Sequence, residues 1–93
     1  MTKIIFNVKE DGEIFFECEN HSGNHDICTI VSTLCNVLVR ATERQDLAID
    51  IYEEGHVRIY IPQAKSCLKE QFLVILDMLE ELAGDNPNHI KIY

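Results

Sequence analysis

The stretch NHSGNHDICTIVS, residues 20–32, marks the point where a strand-like pattern gives way to a helical one. Apolar residues alternate with polar ones up to Cys18, whereas from Ile27 they recur three and four residues apart, as on one face of a helix. His21 opens the stretch, and Cys28 lies where the helix is predicted to start. The sequence therefore predicts a strand-to-helix junction that carries a histidine and a cysteine.

A cysteine at the start of a helix has the surroundings of an activated thiol. The first backbone N–H groups of a helix lack partners within it, and the helix dipole adds partial positive charge there, which lowers the pKa of a nearby thiol. A neighbouring histidine can accept the thiol proton. We therefore interpret Cys28 as a candidate nucleophile and His21 as its general base. Asp26 is the predicted N-cap, because its carboxylate can accept from N–H groups one turn further on.

Length and composition indicate one folded domain that spans residues 1–93. The hydrophobic fraction is 46%, which suits a packed core rather than a disordered chain. No apolar run is long enough to cross a bilayer, and the first residues, MTKI, do not start the apolar core of a signal peptide. We expect a cytoplasmic protein with reduced thiols and no membrane partner.

The charge balance narrows the class of partner. The formal net charge is −8, from 16 acidic and 8 basic residues. An acidic surface argues against binding nucleic acid through its phosphates, and it is compatible with a basic protein partner.

The four cysteines include no CxxC pair, which argues against a zinc ribbon or a thioredoxin-like site. Cys18, Cys35 and Cys67 fall on or near apolar faces, so we expect small core or interface residues. An alternative reading is a metal site with three ligands from the junction: His21, His25 and Cys28. The spacing is loose and a fourth ligand is not obvious, and we otherwise expect no metal and no cofactor.

Two β-hairpins are predicted, one before the first helix and one after it. Residues 3–9 and 14–19 alternate on either side of Asp-Gly, a pair that is typical of tight turns. Residues 47–51 and 57–61 form the second pair of strands, which ends at Pro62 because proline has no N–H to donate.

A second helix and a short edge strand complete the chain. Ser66 is the predicted N-cap of this helix, and Gly84 fits the position just past its end. The tail, residues 89–93, is predicted as a fifth strand, and His56 and His89 are expected to be solvated. Three apolar residues widen the buried stripe of the helix beyond the need of one sheet face, which leaves open a dimer interface or a deep groove: Leu73, Val74 and Met78.

The predicted order of elements is β-β-α-β-β-α-β. Hairpins pair their strands in antiparallel fashion, and the apolar stripes of both helices need a sheet to pack against. The sequence therefore predicts an α+β fold with two layers, a largely antiparallel sheet and two helices on one of its faces.

The junction resembles the ribosomal-processing cysteine protease family, Prp. Members carry Gly-His-Ala at the end of the second strand, then a loop, then Asp-Ile-Val-Cys-Ala-Ala-Val-Ser at the start of the first helix. The present chain has NHS at residues 20–22 and DICTIVS at residues 26–32, so the cysteine and the serine four residues later keep their spacing. Length and element order are similar along the whole chain.

The resemblance implies a function and assigns roles. The family removes a short N-terminal extension from ribosomal protein twenty-seven of the large subunit and cuts after a pair of aromatic residues. By this resemblance, His21 and Cys28 are the catalytic pair, with Ser32 on the first turn below them. The flexible loop between the pair takes part in holding substrate: Ser22, Gly23, Asn24 and His25. The implied partners are a basic ribosomal protein as substrate and a second copy of the chain in a homodimer.

The expected reaction is peptide-bond hydrolysis by an activated cysteine. The Cys28 thiolate attacks a peptide carbonyl, and His21 passes the thiol proton to the leaving amine. N–H groups at the helix start are the candidates for stabilising the oxyanion, in a region that includes Asp26, Thr29 and Ser32.

The chain departs from the family pattern at four points. Asn20 replaces the glycine before the histidine, and asparagine tolerates a left-handed backbone better than most residues. The loop is shorter than in typical members, and Asp26 precedes the cysteine by two residues instead of three. Thr29 and Ile30 replace two alanines next to the thiol. These changes bear on peptide binding, so a non-enzymatic module that binds a peptide or a ribosomal protein stays open as an alternative.

Overall fold

The computed structural model describes all 93 residues and confirms the predicted order of elements. Two helices of 20 residues each follow the two hairpins, and a short strand comes last. The elements are β1 (Thr2–Val8), β2 (Ile14–Glu19), α1 (His25–Arg44), β3 (Ile51–Glu53), β4 (His56–Ile61), α2 (Ser66–Asp85) and β5 (Ile90–Ile92). Neither helix is both long and apolar enough to cross a membrane.

The five strands form one open sheet in the order β3-β4-β2-β1-β5. All neighbours are antiparallel except β1 and β5, which run parallel, so the α+β fold has a mixed sheet with one parallel edge. The two hairpins join through β2 and β4, where Glu19 pairs with His56. This pairing brings the β3–β4 turn beside the end of β2, and therefore beside the junction that follows β2.

The core lies between the sheet and the two helices. Alternate strand residues are fully buried, among them Ile4, Phe16 and Ile59. The helices contribute residues at the predicted three-and-four spacing, such as Leu38 and Phe72, which are also fully buried. Each such side chain stabilises the fold by about 1.5–3 kcal/mol relative to exposure. The core therefore holds both helix starts in fixed positions against the sheet.

Asn24, and not Asp26, is the N-cap of α1. The Asn24 side-chain oxygen accepts a hydrogen bond from the Ile27 N–H at 3.2 Å, and the helix begins at His25. The prediction of Asp26 is wrong by two residues because asparagine and aspartate are equally good caps, so composition alone does not choose between them. Asp26 instead lies in the first turn, where a negative charge is favourable near the positive end of the helix dipole.

The bounds of α2 differ from the prediction at both ends. Lys65 is the cap residue and makes no side-chain cap bond, so Ser66 is the first helical residue rather than the N-cap. Gly84 lies inside the helix instead of past its end. The Asn86 side-chain amide donates to the Leu82 carbonyl oxygen at 2.9 Å and so takes the capping role that was expected of the glycine.

The structure corrects the start of β3 and locates the apolar residues at the margins of the strands and of α2. β3 begins at Ile51, so Leu47 and Ile49 lie before the strand, half-buried against the core. The fifth strand is confirmed, and its edge position comes from pairing with β1. The three residues that widen the stripe of α2 are exposed: Leu73, Val74 and Met78.

Candidate active site at the start of the first helix

Cys28 is the fourth residue of α1 and is held by the loop that precedes the helix. Its backbone N–H donates to the Asn24 carbonyl oxygen at 2.9 Å, within the first turn. Its sulfur accepts a hydrogen bond from the Ser22 backbone N–H at 3.3 Å and lies 3.1 Å from the Ser22 hydroxyl oxygen. The thiol is therefore anchored, across the junction, to a residue that precedes it in the loop.

The Ser22 hydroxyl can serve both protonation states of this thiol. Its oxygen accepts from the Asn24 N–H at 3.1 Å, and it donates to the Asn24 carbonyl oxygen at 2.9 Å. When Cys28 is a thiol, the S–H donates to the hydroxyl oxygen. When Cys28 is a thiolate, the hydroxyl proton turns to the sulfur, while the Asn24 carbonyl keeps the Cys28 N–H as its donor.

The pKa of the Cys28 thiol is lowered from 9.0 to about 7. The Ser22 hydroxyl is the largest cause and the Ser22 backbone N–H the next; partial burial raises this pKa, and His21 and the Gly23 N–H lower it by smaller amounts. Hydrogen bonds to the charged form of a group favour that form. A substantial fraction of the thiol is therefore ionised at neutral pH.

The loop between β2 and α1 is fixed by distant parts of the chain. Asn20 has φ 71°, the left-handed conformation that its asparagine side chain tolerates, and Gly23 has φ 84°. The Asn20 N–H donates to the Gly55 carbonyl oxygen at 2.9 Å, and the Thr2 hydroxyl donates to the Asn20 carbonyl oxygen at 3.1 Å. The loop is thereby tied to the β3–β4 turn on one side and to β1 on the other.

His21 lines the same pocket as Cys28 and contributes to the lowered pKa of that thiol. Its side chain is exposed, and it rests against the β3–β4 turn. A Cβ added at Gly55 would lie 3.4 Å from the His21 Nε2 atom. The structure therefore places the predicted pair at one pocket, with the imidazole next to a turn from elsewhere in the chain.

A pocket of about 850 Å³ opens at the junction, a volume within the range of ligand sites. Ser22 is buried and Asp26 is exposed, and neither lines the pocket, although both were expected beside the substrate or the oxyanion. The other predicted residues of the loop and the helix start do line it: His21, Gly23, Asn24, His25, Cys28, Thr29 and Ser32.

Solved structures identify the fold. The ribosomal processing protease Prp from S. aureus, in complex with a covalently linked product peptide, matches with a TM-score of 0.79 at 15% identity, over 99% of this chain and 97% of that one. The same protease with a substrate peptide gives a TM-score of 0.66 at 15% identity, over 100% and 98% of the two chains. The chain has the fold of the ribosomal processing protease Prp.

A further structure shares the Prp fold. SMU.848 from Streptococcus mutans matches with a TM-score of 0.75 at 22% identity, over 99% of this chain and 91% of that one. No protein-family model matches the sequence, and no curated protein matches it. Identities of 15% and 22% establish a shared fold, so the chemistry of this chain rests on the geometry of its own junction.

The pocket has a second wall that the sequence did not indicate. Residues of the β3–β4 hairpin form this wall: Tyr52, Glu53, Glu54, Gly55 and His56. The Tyr52 hydroxyl donates to the side-chain oxygen of Asn36, which links the wall to α1. No local pattern marks these residues as part of a site, because the wall arises from the pairing of β2 with β4.

Two histidines that were expected to be solvated are bonded instead. The Nε2 atom of His56 lies 2.6 Å from the Glu17 Oε2 atom, to which Arg58 Nε also donates at 3.1 Å. His56 first, and Arg58 after it, hold the pKa of the Glu17 carboxyl below its usual value against the opposing effect of burial. His89 is half-buried, and its Nδ1 atom lies 3.0 Å from the Ser22 carbonyl oxygen.

The metal alternative has no ligand set at the junction. The ligand atoms of the three residues considered there do not gather within 4.8 Å of one another, and the group that does so lies on the sheet: Glu17, Glu19 and His56. In that group the Glu17 carboxylate is already bonded to His56 and Arg58. The donors at the junction therefore do not fit a metal centre.

The remaining cysteines divide into two kinds, and all four in the chain are free. Cys18 and Cys35 are buried, as expected, and a hydrogen bond between them lowers the pKa of Cys18 and raises that of Cys35. Cys67 is exposed in the first turn of α2, so it is not a core residue.

Proposed function

We propose that the protein is a cysteine endopeptidase with Cys28 as the nucleophile and His21 as the general base. One observation carries the proposal: a thiol with a pKa of about 7, held by Ser22, shares a pocket with a histidine. A nucleophile of this kind is most effective when it is substantially ionised at neutral pH and has a base nearby. The Prp fold supports the proposal, because the two S. aureus Prp structures hold peptides, one of them covalently linked.

The reaction runs in two steps. The Cys28 thiolate attacks the carbonyl carbon of the peptide bond, and His21, which has taken the thiol proton, donates that proton to the leaving amine as the C–N bond breaks. The acyl group stays on the sulfur as a thioester. His21 then accepts a proton from a water molecule that attacks the thioester, which releases the carboxylic acid product and frees the sulfur.

The loop before the helix supplies the proposed oxyanion donor, the N–H of Gly23. Asn24 already engages the N–H groups of Ile27 and Cys28, through its side chain and its carbonyl respectively. The Ser22 N–H donates to the sulfur, and the Gly23 N–H contributes to the lowered pKa of the thiol. Successive N–H groups of a turn form a concave anion-binding nest. In the proposed reaction this nest stabilises negative charge on the sulfur, and the N–H of Gly23, which lines the pocket, then stabilises the charge on the substrate oxygen.

The proposed substrate is a basic ribosomal protein of the large subunit that carries an N-terminal extension. Glu53 and Glu54 are exposed on the pocket wall, and the whole chain carries a net charge of −8, so basic segments beside the cut are attracted. Val31, Tyr52 and Val57 give the pocket apolar surface, which suits aromatic side chains just before the cut.

We also propose a homodimer that works in a reducing compartment, the cytoplasm. Leu73 and Val74 are 41% and 59% exposed on α2, and with Phe6 and Val8 they line a second groove, of about 510 Å³. An exposed apolar patch of this kind suits a contact between two copies. Attack requires a reduced Cys28, and a reducing compartment keeps free thiols in that state.

The test uses purified protein and a ribosomal protein with a cleavable N-terminal extension, followed by mass spectrometry. The wild type cuts once, after the aromatic pair. Cys28→Ser abolishes cleavage because serine has no comparable anion at neutral pH, and His21→Ala lowers the rate about 10²–10⁴-fold. Cys67→Ser is the matched control, because this cysteine also lies in the first turn of a helix, and it retains wild-type activity.

The same experiment separates the alternatives. Cleavage that persists in Cys28→Ser contradicts the assignment of the nucleophile. A substrate that binds to the wild type without being cut favours the interaction module instead. Cys28 is only partly buried at a helix start, so circular dichroism of Cys28→Ser matches the wild type, and a loss of activity is then a loss of chemistry.

A further inference from the structure

His89 contacts the junction from the opposite end of the chain. It precedes β5, and its Nδ1 atom lies 3.0 Å from the Ser22 carbonyl oxygen. A carbonyl oxygen only accepts hydrogen bonds, so Nδ1 carries the proton and the imidazole is the donor. His89 does not line the pocket, and the proposed reaction uses neither of its nitrogen atoms.

The backbone holds this imidazole in a fixed position. The His89 N–H donates to the Asn86 carbonyl oxygen at 3.0 Å, and the His89 carbonyl oxygen accepts from the Thr2 N–H at 2.9 Å. Ile90, the next residue, is 2% exposed and begins β5. The donor is therefore anchored to the sheet and the end of α2, whereas its acceptor lies in a loop.

The Ser22 carbonyl and the Gly23 N–H belong to one peptide unit. This unit is planar and trans, so its C=O and N–H point in opposite directions. A donor that fixes the carbonyl therefore also fixes the orientation of the Gly23 N–H, which contributes to the lowered pKa of the Cys28 thiol. It also holds in place Ser22, whose own N–H and hydroxyl lie 3.3 and 3.1 Å from the Cys28 sulfur. A hydrogen bond on the carbonyl also polarises the N–H of the same unit, which strengthens the attraction of that N–H for a negative charge on the sulfur.

We propose that His89 is a positioning residue that acts on the Cys28 sulfur through the peptide unit between Ser22 and Gly23. This role rests on the proposed function, because it concerns the same nucleophile. Gly23 has φ 84° and no Cβ, so its own backbone places little restriction on the peptide unit that precedes it. The imidazole supplies the constraint that the glycine lacks.

The test measures the thiol directly. Iodoacetamide alkylation of Cys28 is followed against pH, and fragment mass spectra assign the modified cysteine. The wild type has its midpoint at about pH 7. In His89→Phe, which keeps a ring and loses the donor, the midpoint rises by about 0.3 pH unit, less than in a variant without the Ser22 hydroxyl, because the Gly23 N–H is the smallest of the contributions that lower this pKa. His89→Asn, whose side-chain amide presents an N–H near the place of Nδ1, restores most of the shift.

Two control variants distinguish positioning from loss of structure. Lys91→Gln changes an exposed residue of β5, and Ile90→Val loosens the packing of β5 without touching the imidazole. Both keep the wild-type midpoint if His89 acts through its donor. A His89→Phe protein that is folded and has the wild-type midpoint overturns the proposal, and so does a rise in Ile90→Val equal to that in His89→Phe.

The alkylation midpoint does not depend on any cleavage reaction. If the wild type cuts no substrate and the midpoint still moves in His89→Phe, the positioning role stands and the proposed protease fails. If the wild type cuts its substrate and His89→Phe changes neither the midpoint nor the rate of cleavage, the protease stands and the positioning role fails.

Discussion

The two halves of the chain repeat one layout, yet only one carries a candidate site. Each half has a hairpin with a glycine of positive φ in its turn, a short connection, and a 20-residue helix with a cysteine in the first turn. The connection to α1 contains two left-handed residues and a capping asparagine, and it holds the Cys28 sulfur. The connection to α2 ends at Lys65, which makes no side-chain cap bond, and leaves Cys67 exposed. A helix start alone therefore does not make the site; the loop before it does.

The glycines in the two hairpin turns, Gly12 and Gly55, also differ in what surrounds them. Gly12 has φ 98°, and a Cβ there would lie 2.8 Å from the Ala64 carbonyl oxygen, in the connection to α2. Gly55 has φ 78°, and a Cβ there would meet only the His21 imidazole, at 3.4 Å. Similar left-handed conformations therefore have different tertiary surroundings: one turn packs against the backbone of the other half, and the other lies next to the candidate base.

The largest expected effect is that of Gly12→Ala. The substitution adds left-handed strain and a clash with backbone, so it lowers the free energy of unfolding by about 3 kcal/mol, measured by urea denaturation. Gly55→Ala is the matched comparison and costs about 1 kcal/mol, because a side chain can move where backbone cannot. Equal losses in the two variants would show that the contact with Ala64 does not distinguish the turns.

Ser22→Ala tests what the loop contributes to the thiol. It removes the largest cause of the lowered pKa of Cys28 and leaves the backbone N–H, so this pKa rises from about 7 by about one unit. The measurement is the pH dependence of alkylation at Cys28, with alkylation at Cys67 in the same sample as the internal control. An unchanged midpoint at Cys28 would mean that the hydroxyl is not the decisive donor.

The difference between the capped start of α1 and the uncapped start of α2 can be tested by removing the first cap and by adding a second. Asn24→Ala removes the cap of α1 and lowers the free energy of unfolding by about 1 kcal/mol. Lys65→Asp provides α2 with a capping carboxylate near the positive end of its dipole and raises the free energy of unfolding by about 0.5–1 kcal/mol. Chemical denaturation of the two variants and the wild type checks both. A loss of stability in Lys65→Asp would contradict the capping comparison.

The smallest expected effect concerns the ion pairs that join the halves at β2 and β4. The folded-state pKa of Glu17 is lowered from 4.5, chiefly by His56, so its stabilisation is present above pH 4.5 and is lost as the pH falls through the lower folded value. Arg58 is partly exposed, so the contribution is less than about 1 kcal/mol. Between pH 7 and pH 3 the Glu17→Gln variant should lose less stability than the wild type does. Thermal unfolding at each pH measures the loss, and Glu19→Gln is the control.

Local patterns in the sequence were sufficient for several features of the site. The alternation and the three-and-four spacing located both hairpins and both helices, and the polar break at residues 20–26 located the junction. The left-handed tolerance of Asn20 was also readable from its residue type. The hydrogen bonds from Ser22 to the Cys28 sulfur were not predicted, because the residue type of a loop serine does not indicate which atom its hydroxyl will contact.

The sequence by itself determined the order of elements, the helix starts to within two residues and the presence of His21 and Cys28 at one junction. These features follow from residues that are neighbours in the chain, whose periodicity and conformational preferences act locally. Only the tertiary structure decided that β2 pairs with β4, that Gly55 lies next to the His21 imidazole and that His89 reaches Ser22. These contacts join residues far apart in sequence, and they depend on strand register and on the packing of the whole core, which no local pattern encodes.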